Sequence, residues 1–261
     1  MARDIDMPTA PASQSPWGHL GEARSRWVVL LSLAVVVAPS LTLAALLFDD
    51  EAEGDGLTRI DQPVLDAAVS VRTPVADRAV EVYSYLGGPV LAIVATFLAV
   101  VGLSLRWRSR TPFLLMLVAG AGSLAMSMTT KAYADRARPG QEYLVGSFEP
   151  SWSFPSGHAL NAVIIAGVLA YLFIIRSMSR RVAVVAVTLA VLHAVLMGLS
   201  RVYLGQHWLT DVIVAWCMGL VWLTVVLGIH QVFLRQRKRQ REVGSSAESG
   251  RRAHAGAHTA P

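Results

Sequence analysis

The sequence predicts an all-α, polytopic membrane protein with six transmembrane helices in one bundle and both termini in the cytoplasm. The 261 residues are 54% hydrophobic and only 16% charged, whereas ordinary soluble domains carry about 25% charged residues. Six segments of 17 to 23 residues contain no Asp, Glu, Lys or Arg: 27–48, 83–105, 111–130, 159–175, 182–200 and 212–234. A helix needs roughly 20 residues to cross a bilayer, so each segment is long enough. This composition excludes a secreted disulfide scaffold, a soluble nucleic-acid-binding protein and a disordered chain.

The charged residues between the segments predict the orientation. With a cytoplasmic N-terminus, the cytoplasmic stretches carry a net charge of +11 and the exterior stretches −6. The cytoplasmic stretches are 1–26, 106–110, 176–181 and 235–261, and the exterior ones are 49–82, 131–158 and 201–211. Because Lys and Arg are enriched on the cytoplasmic side of membrane proteins, we expect a multi-pass protein of the cell membrane, surrounded by membrane lipids, in this orientation.

The chain divides into a transmembrane domain, 27–234, and two tails. The tails, 1–26 and 235–261, show no apolar periodicity and are expected to be disordered. The basic residues after position 234 lie where anionic lipid headgroups attract them. In the exterior loop 49–82, an acidic start precedes apolar residues at helical spacing, which predict a short amphipathic helix at the outer interface. These apolar residues are Ile60, Val64, Leu65, Ala68 and Val69.

Three polar clusters fall in the exterior stretches after 130. The first runs from Lys131 to Arg138 and Pro139, and the proline favours extended backbone at Arg138. Lysine offers a compact point charge and arginine a planar fork, so the two together suit a tetrahedral anion. Two ordinary interfacial cations are the alternative.

The second cluster is the stretch 151–158, which leads directly into an apolar segment. Ser156 is a good N-cap residue, and Gly157 allows a backbone N–H to approach a ligand closely. A helix that begins here directs its free N–H groups outward, which makes an anion site. His158 at its edge can donate or accept a proton; a capped helix with an incidental histidine is the alternative.

The third cluster, 200–211, contains Arg201, His207 and Asp211. If a helix begins near His207, this residue and Asp211 share one face of it. A carboxylate beside one imidazole nitrogen fixes the tautomer and raises the basicity of the other nitrogen, as in a catalytic triad. An interfacial ion pair is the alternative. Three cations and a helix N-terminus near two histidines indicate phosphoryl transfer rather than acyl transfer.

These clusters resemble the tripartite signature of the type 2 phosphatidic acid phosphatases, a superfamily that includes bacterial acid phosphatases and vanadium haloperoxidases. The matching motifs are Lys131 with Arg138-Pro139, Pro155-Ser156-Gly157-His158, and Ser200-Arg201 with His207 and Asp211. Order and spacing match across 131–211. Leu209 stands where proline is common in the family, a departure outside the catalytic set.

The resemblance implies a role for each residue. His207 would attack phosphorus and form a phosphohistidine, Asp211 would orient it, and His158 would protonate the leaving oxygen and later activate water. The phosphoryl oxygens would be held by Lys131, Arg138, Arg201, Ser156 and the Gly157 amide. The resemblance implies no metal and no other cofactor, because the three cations supply the charge neutralisation that a metal ion supplies elsewhere.

The sequence therefore predicts a lipid phosphatase whose site faces the exterior. The candidate substrates are polyprenyl pyrophosphate, phosphatidic acid and phosphatidylglycerophosphate. A lipid phosphotransferase with the same intermediate and an anion transporter are the alternatives. A metal site made of His158, His207, Asp211 and Glu149 is disfavoured by the surrounding cations. His193 and His230, inside two spans, are expected to be neutral, hydrogen-bonded residues.

Overall fold

The computed structural model describes residues 56–177 and 179–257, together with the single residue Thr42. For Leu57, Lys238 and 241–257 it describes the backbone only. The predicted tail 1–26, all of the predicted first span 27–48 apart from Thr42, and the acidic residues 49–55 therefore lie outside the described residues. The number of six spans and the cytoplasmic position of both termini remain predictions.

The described part of the chain is all helical, without a β-strand, as the sequence predicts. Two short 3-10 helices, Gly56–Ile60 and Gln141–Tyr143, accompany the α-helices. The α-helices are α1 (Asp61–Ser70), α2 (Pro74–Leu86), α3 (Pro89–Trp107), α4 (Thr111–Ala134), α5 (Gly157–Ser177), α6 (Arg180–Tyr203) and α7 (Leu209–Ala257). The amphipathic helix predicted in the loop 49–82 is α1, with Leu65 buried.

Five helices are long and apolar enough to cross a membrane: α3, α4, α5, α6 and the Leu209–Arg237 part of α7. They identify the chain as a membrane protein. α5 is central, because it contacts α4, α6 and α7. One core cluster joins α4 to α5 through Leu115, Ala119, Ile164 and Val168.

The predicted second span needs a correction, because the charge-free segment 83–105 is divided between two helices. Tyr83 to Leu86 end α2, the chain turns at Gly87 and Gly88, and α3 begins at Pro89. Proline has no N–H to donate and disfavours helical backbone at the residue before it, so it begins a helix more readily than it continues one. Gly88 accordingly has extended backbone, with φ −66° and ψ 163°.

The last helix is longer than expected. The sequence predicts disorder after position 234, whereas the backbone of α7 continues as helix to Ala257. The residues that follow the span, RQRKRQRE, are mostly strong helix formers, and no proline occurs between positions 235 and 260.

The ends of α4 and α6 and the beginnings of α5 and α7 lie at the same end of the bundle. α1 packs across this end against α6 and α7. A second core cluster beneath it includes Leu160, Val202, Val212 and Ala215. This packing gives the polar residues at the helix ends a rigid base.

We expect Gly205→Ala to destabilise this end of the bundle. Gly205 has φ +67°, which L-residues other than glycine rarely adopt, and a Cβ there would collide with the main-chain oxygen of Tyr143. The substitution should cost roughly 2 kcal/mol or more and lower the Tm in detergent by several degrees.

The matched control is Gly102→Ala in α3, where an added Cβ meets no atom within 4 Å. In a helix interior alanine is favoured over glycine, so this variant should keep or raise the Tm. Equal losses of Tm in the two variants would contradict the prediction.

Candidate active site

The structure brings the three polar clusters together at this end of the bundle. Lys131 lies in the last turn of α4, and His158 lies in the first turn of α5. Arg201 lies in the last turn of α6, and Asp211 lies in the first turn of α7. His207 lies in the short connection between α6 and α7.

His207 and Asp211 form a buried pair. The Nδ1 atom of His207 is 3.4 Å from Oδ2 of Asp211, and their side chains are 1% and 0% exposed. The same carboxylate oxygen accepts hydrogen bonds from the Trp208 backbone N–H at 2.9 Å and from the Ser153 hydroxyl. A carboxylate that accepts a backbone N–H at the start of a helix is held in place and is favoured by the helix dipole.

The other imidazole nitrogen of His207 faces a cation. Nη1 of Arg138 lies 3.2 Å from Nε2 of His207. A guanidinium only donates hydrogen bonds, so Nε2 must accept, and we assign the proton to Nδ1, on the side of Asp211. Burial lowers the pKa of His207 to about 4, despite the opposing effect of Asp211. The arrangement holds a neutral imidazole whose unprotonated Nε2 points toward Arg138.

Arg138 is fixed by the loop that precedes α5 and by the connection between α6 and α7. Its Nε atom donates to the Ser151 carbonyl at 2.8 Å, and Nη1 donates to the Gln206 carbonyl at 2.6 Å. Lys131 also contacts this loop: Nζ donates to the Trp152 carbonyl and to the Ser151 hydroxyl. Two cations predicted from the first cluster therefore converge on the same short segment.

Glu149 lies between two of the cations. Its Oε2 atom accepts a hydrogen bond from Nη2 of Arg201 at 3.1 Å and is 3.4 Å from Nη2 of Arg138. Burial alone would raise the pKa of Glu149, but the guanidinium groups of Arg138 and Arg201 outweigh it and hold the pKa below its usual value. Arg201 is 6% exposed and also donates to the Ser84 hydroxyl at 2.7 Å.

The second cluster forms the start of α5 but not the predicted side-chain cap. The Ser156 carbonyl accepts from Leu160 N at 3.0 Å, as at an N-cap, and the Ser156 N–H donates to the Asp211 carbonyl at 3.2 Å. The buried Oγ of Ser156 has no hydrogen-bond partner among the described residues, and neither has Nε of Arg201. Buried polar atoms are almost always paired, so these two orphaned atoms indicate a place for a polar ligand.

A cavity of about 730 Å³ opens beside Arg201. His158, Arg201 and Glu149 line its polar side, and apolar residues of α2 and α3, including Val82 and Leu91, line another part. The cavity therefore joins the charged cluster to an apolar surface at the break between α2 and α3.

Sequence reasoning missed three side chains that contact Asp211 directly or through a neighbour: the buried Asp61 and Ser153 and the largely buried Arg136. Asp61 carried a signal, because it shares a helical face with Val64, Leu65 and Ala68 and is therefore a carboxylate in an apolar stripe. Arg136 and Ser153 carried none, because a loop has no periodicity from which to predict the direction of a side chain.

The two intramembrane histidines lie outside this cluster. Nδ1 of His193 is 3.1 Å from the Tyr83 hydroxyl, and Nδ1 of His230 is 2.8 Å from the Tyr171 hydroxyl. Among the described residues, no group of three or more His, Cys, Asp or Glu side chains is arranged to hold a metal ion.

Comparisons with known proteins identify the relatives of this chain. The profile of the PAP2 superfamily matches residues 111–235. Phosphatidylglycerophosphatase B of Bacillus subtilis (strain 168) is 30% identical over 202 residues, which are 77% of this chain and 98% of that protein.

Two crystal structures are similar in fold. A transmembrane PAP2-type phosphatidylglycerolphosphate phosphatase from Bacillus subtilis matches with a TM-score of 0.66 and 26% identity, over 74% of this chain and 96% of that one. LpxE of Aquifex aeolicus matches with a TM-score of 0.52 and 22% identity, over 65% and 95% of the two chains, a likeness of fold. The extent of the sequence match and the motifs at one end of the bundle lead to one conclusion: the chain belongs to the PAP2 superfamily.

Proposed function

We propose that this protein is an integral membrane lipid phosphatase that hydrolyses a phosphate monoester or a pyrophosphate through a phosphohistidine on His207. The observation that carries the proposal is the buried His207–Asp211 pair, whose free imidazole nitrogen faces Arg138. The orphaned atoms of Ser156 and Arg201 support it, because both can donate to phosphoryl oxygens.

In the first step, the lone pair on Nε2 of His207 attacks phosphorus and the bond from phosphorus to the lipid oxygen breaks. His158 gives its proton to that oxygen, so the lipid leaves as an alcohol, or as a monophosphate when the substrate is a pyrophosphate. Asp211 keeps the Nδ1 proton in place and stabilises the positive charge that the phosphorylated ring acquires.

In the second step, water attacks phosphorus, the P–N bond breaks and the electron pair returns to Nε2. His158, now neutral, takes the proton from water, so the second step restores the starting protonation of both histidines. Lys131, Arg138 and Arg201, with Ser156 and the Gly157 amide, hold the phosphoryl oxygens and stabilise the charge without a metal ion.

The position of the cavity supports a lipid substrate. A polar site at the helix ends that continues into an apolar surface suits a lipid headgroup with its chains in the bilayer. The charge distribution of the loops supports an exterior-facing site, and the named activity of the Bacillus relatives favours phosphatidylglycerophosphate among the candidate lipids.

The decisive experiment measures phosphate release in detergent from phosphatidylglycerophosphate, phosphatidic acid and polyprenyl pyrophosphate. We expect hydrolysis that is insensitive to EDTA, and a loss of at least about a thousandfold in His207→Ala. His230→Ala, which alters a histidine outside the site, is the matched control and should keep its activity. Activity retained in His207→Ala would refute the mechanism, and transfer of phosphate to an added alcohol in preference to water would identify a phosphotransferase.

The role of His158 predicts a dependence on the leaving group. With a lipid alcohol as leaving group, His158→Ala should slow phosphoenzyme formation by roughly 10²–10⁴-fold. With 4-nitrophenyl phosphate, whose leaving group needs no proton, the burst of nitrophenol should survive in this variant while turnover stays slow. Equal losses in the burst with both substrates would contradict the assignment of His158 as the general acid.

The environment of His207 predicts the acid limb of the pH profile. The nucleophile must be neutral, and burial places the pKa of His207 at about 4. We therefore expect kcat/KM to fall as the pH drops through about 4, rather than near 6.5 as for an exposed histidine. Two substrates whose own phosphate pKa values differ should share this limb, and a shared limb near 6.5 would contradict the prediction.

A further inference from the structure

Two further charged residues, Arg136 and Asp61, lie next to Asp211 in the His207–Asp211 pair. Nη1 of Arg136 donates to Oδ1 of Asp211 at 2.6 Å, and Nη2 of the same guanidinium donates to Oδ2 of Asp61 at 2.8 Å. The side chains of Arg136 and Asp61 are 12% and 4% exposed. One guanidinium therefore joins two buried carboxylates, one of which contacts the proposed nucleophile.

We propose that Arg136, held by Asp61, is the positioning residue of the His207–Asp211 pair: it fixes the Asp211 carboxylate and sets how much of its negative charge reaches the imidazole. This inference rests on the proposed function and extends it to two residues that the matching motifs do not specify.

The division of the Asp211 oxygens supports a positioning role. Oδ2 of Asp211 faces His207 and accepts hydrogen bonds from Ser153 and Trp208. Oδ1 accepts a hydrogen bond from Arg136. The carboxylate is thus held on both sides, and its plane cannot rotate without breaking a charged hydrogen bond. Such bonds to an ionised group are about twice as strong as neutral ones.

Because of Asp61, the Arg136 guanidinium neutralises two carboxylates and not Asp211 alone. Asp61 is fixed by the backbone N–H of Thr210 at 2.9 Å and by its hydroxyl at 2.6 Å. Because the guanidinium divides its charge between two carboxylates, Asp211 keeps part of its attraction for a positively charged imidazole. Asp61 is the first residue of α1, so this helix becomes part of the site. α1 lies outside residues 111–235, which match the family profile.

Other charged groups act on the same pair and must stay constant in a test. Arg138 and Arg201 disfavour a proton on His207, and Glu149 interacts with both histidines. Lys131, in the last turn of α4, donates a hydrogen bond to the Ser151 hydroxyl. The Arg136 guanidinium donates to Thr210, Asp211 and Asp61, so substitutions at Arg136 and Asp61 act on the Asp211 side of the pair.

The test compares the acid limb of kcat/KM in Arg136→Gln, Arg136→Lys and Asp61→Asn with that of the full-length wild type. Loss of the cation in Arg136→Gln should move the limb to higher pH by about one unit. Loss of the far anion in Asp61→Asn should move it to lower pH. Arg136→Lys keeps the charge and should lie close to wild type in pH, with kcat reduced because one ammonium cannot span both carboxylates.

The matched control is Asp66→Asn, which removes the same charge from the exposed face of α1 and should leave the limb in place. Shifts of opposite sign in Arg136→Gln and Asp61→Asn support the proposal. Losses of activity with an unmoved limb, or shifts of the same sign, would overturn it and leave Arg136 a purely structural link.

If Arg136→Gln does not fold, Asp61→Asn still gives the sign of the shift in the acid limb of kcat/KM. Arg136→Lys still separates the effect of the positive charge on the limb from the effect of guanidinium geometry on kcat. If the wild type and Asp66→Asn release no phosphate from any lipid phosphate, the proposed function fails instead.

Discussion

An ionised carboxylate buried as deeply as Asp211 is stable only where its neighbours replace the water it has lost. Arg136, the Ser153 hydroxyl and the Trp208 N–H do this, and each comes from a segment that must be folded for the contact to exist. The beginning of α7, the loop after α4 and the loop before α5 are therefore tied to one group. The orientation of His207 depends on this arrangement, and so does the chemistry proposed for it.

The bundle supplies the frame for these loops. Helices α4 to α7 alternate in direction, so the polar residues at their ends meet on one side, while apolar side chains fill the space beneath them. Each helix end also leaves backbone groups without intrahelical partners, and the loops use some of them: the Leu204 carbonyl, for example, accepts from Val145 N at 3.0 Å. Polar loops that lie against helix ends, rather than in solvent, give the site its rigidity.

The sequence predicted the helical membrane fold and the meeting of Lys131, His158, Arg201, His207 and Asp211, because charge-free runs and motif spacing are both local signals. It predicted the boundaries less well. Absence of charge did not distinguish the end of α2 from the span that follows, and only the turn sequence Gly87-Gly88-Pro89 marked the division. The links from Asp61 to Arg136 and from Ser84 to Arg201 join residues 75 and 117 positions apart, and no local pattern encodes such pairings.

Glu149 has a consequence for how an anion enters and leaves. Arg138 and Arg201 share this carboxylate, so in the proposed reaction a phosphoryl group meets cations that already have a counter-ion attached to the chain. Binding is then an exchange of one anion for another, and the tethered carboxylate is present at a high effective concentration after every turnover. A small anion such as free phosphate must win this exchange through its charge alone. The proposed lipid substrate would also be held by its chains in the membrane, so the same exchange would favour the anchored substrate over the product that has lost its anchor.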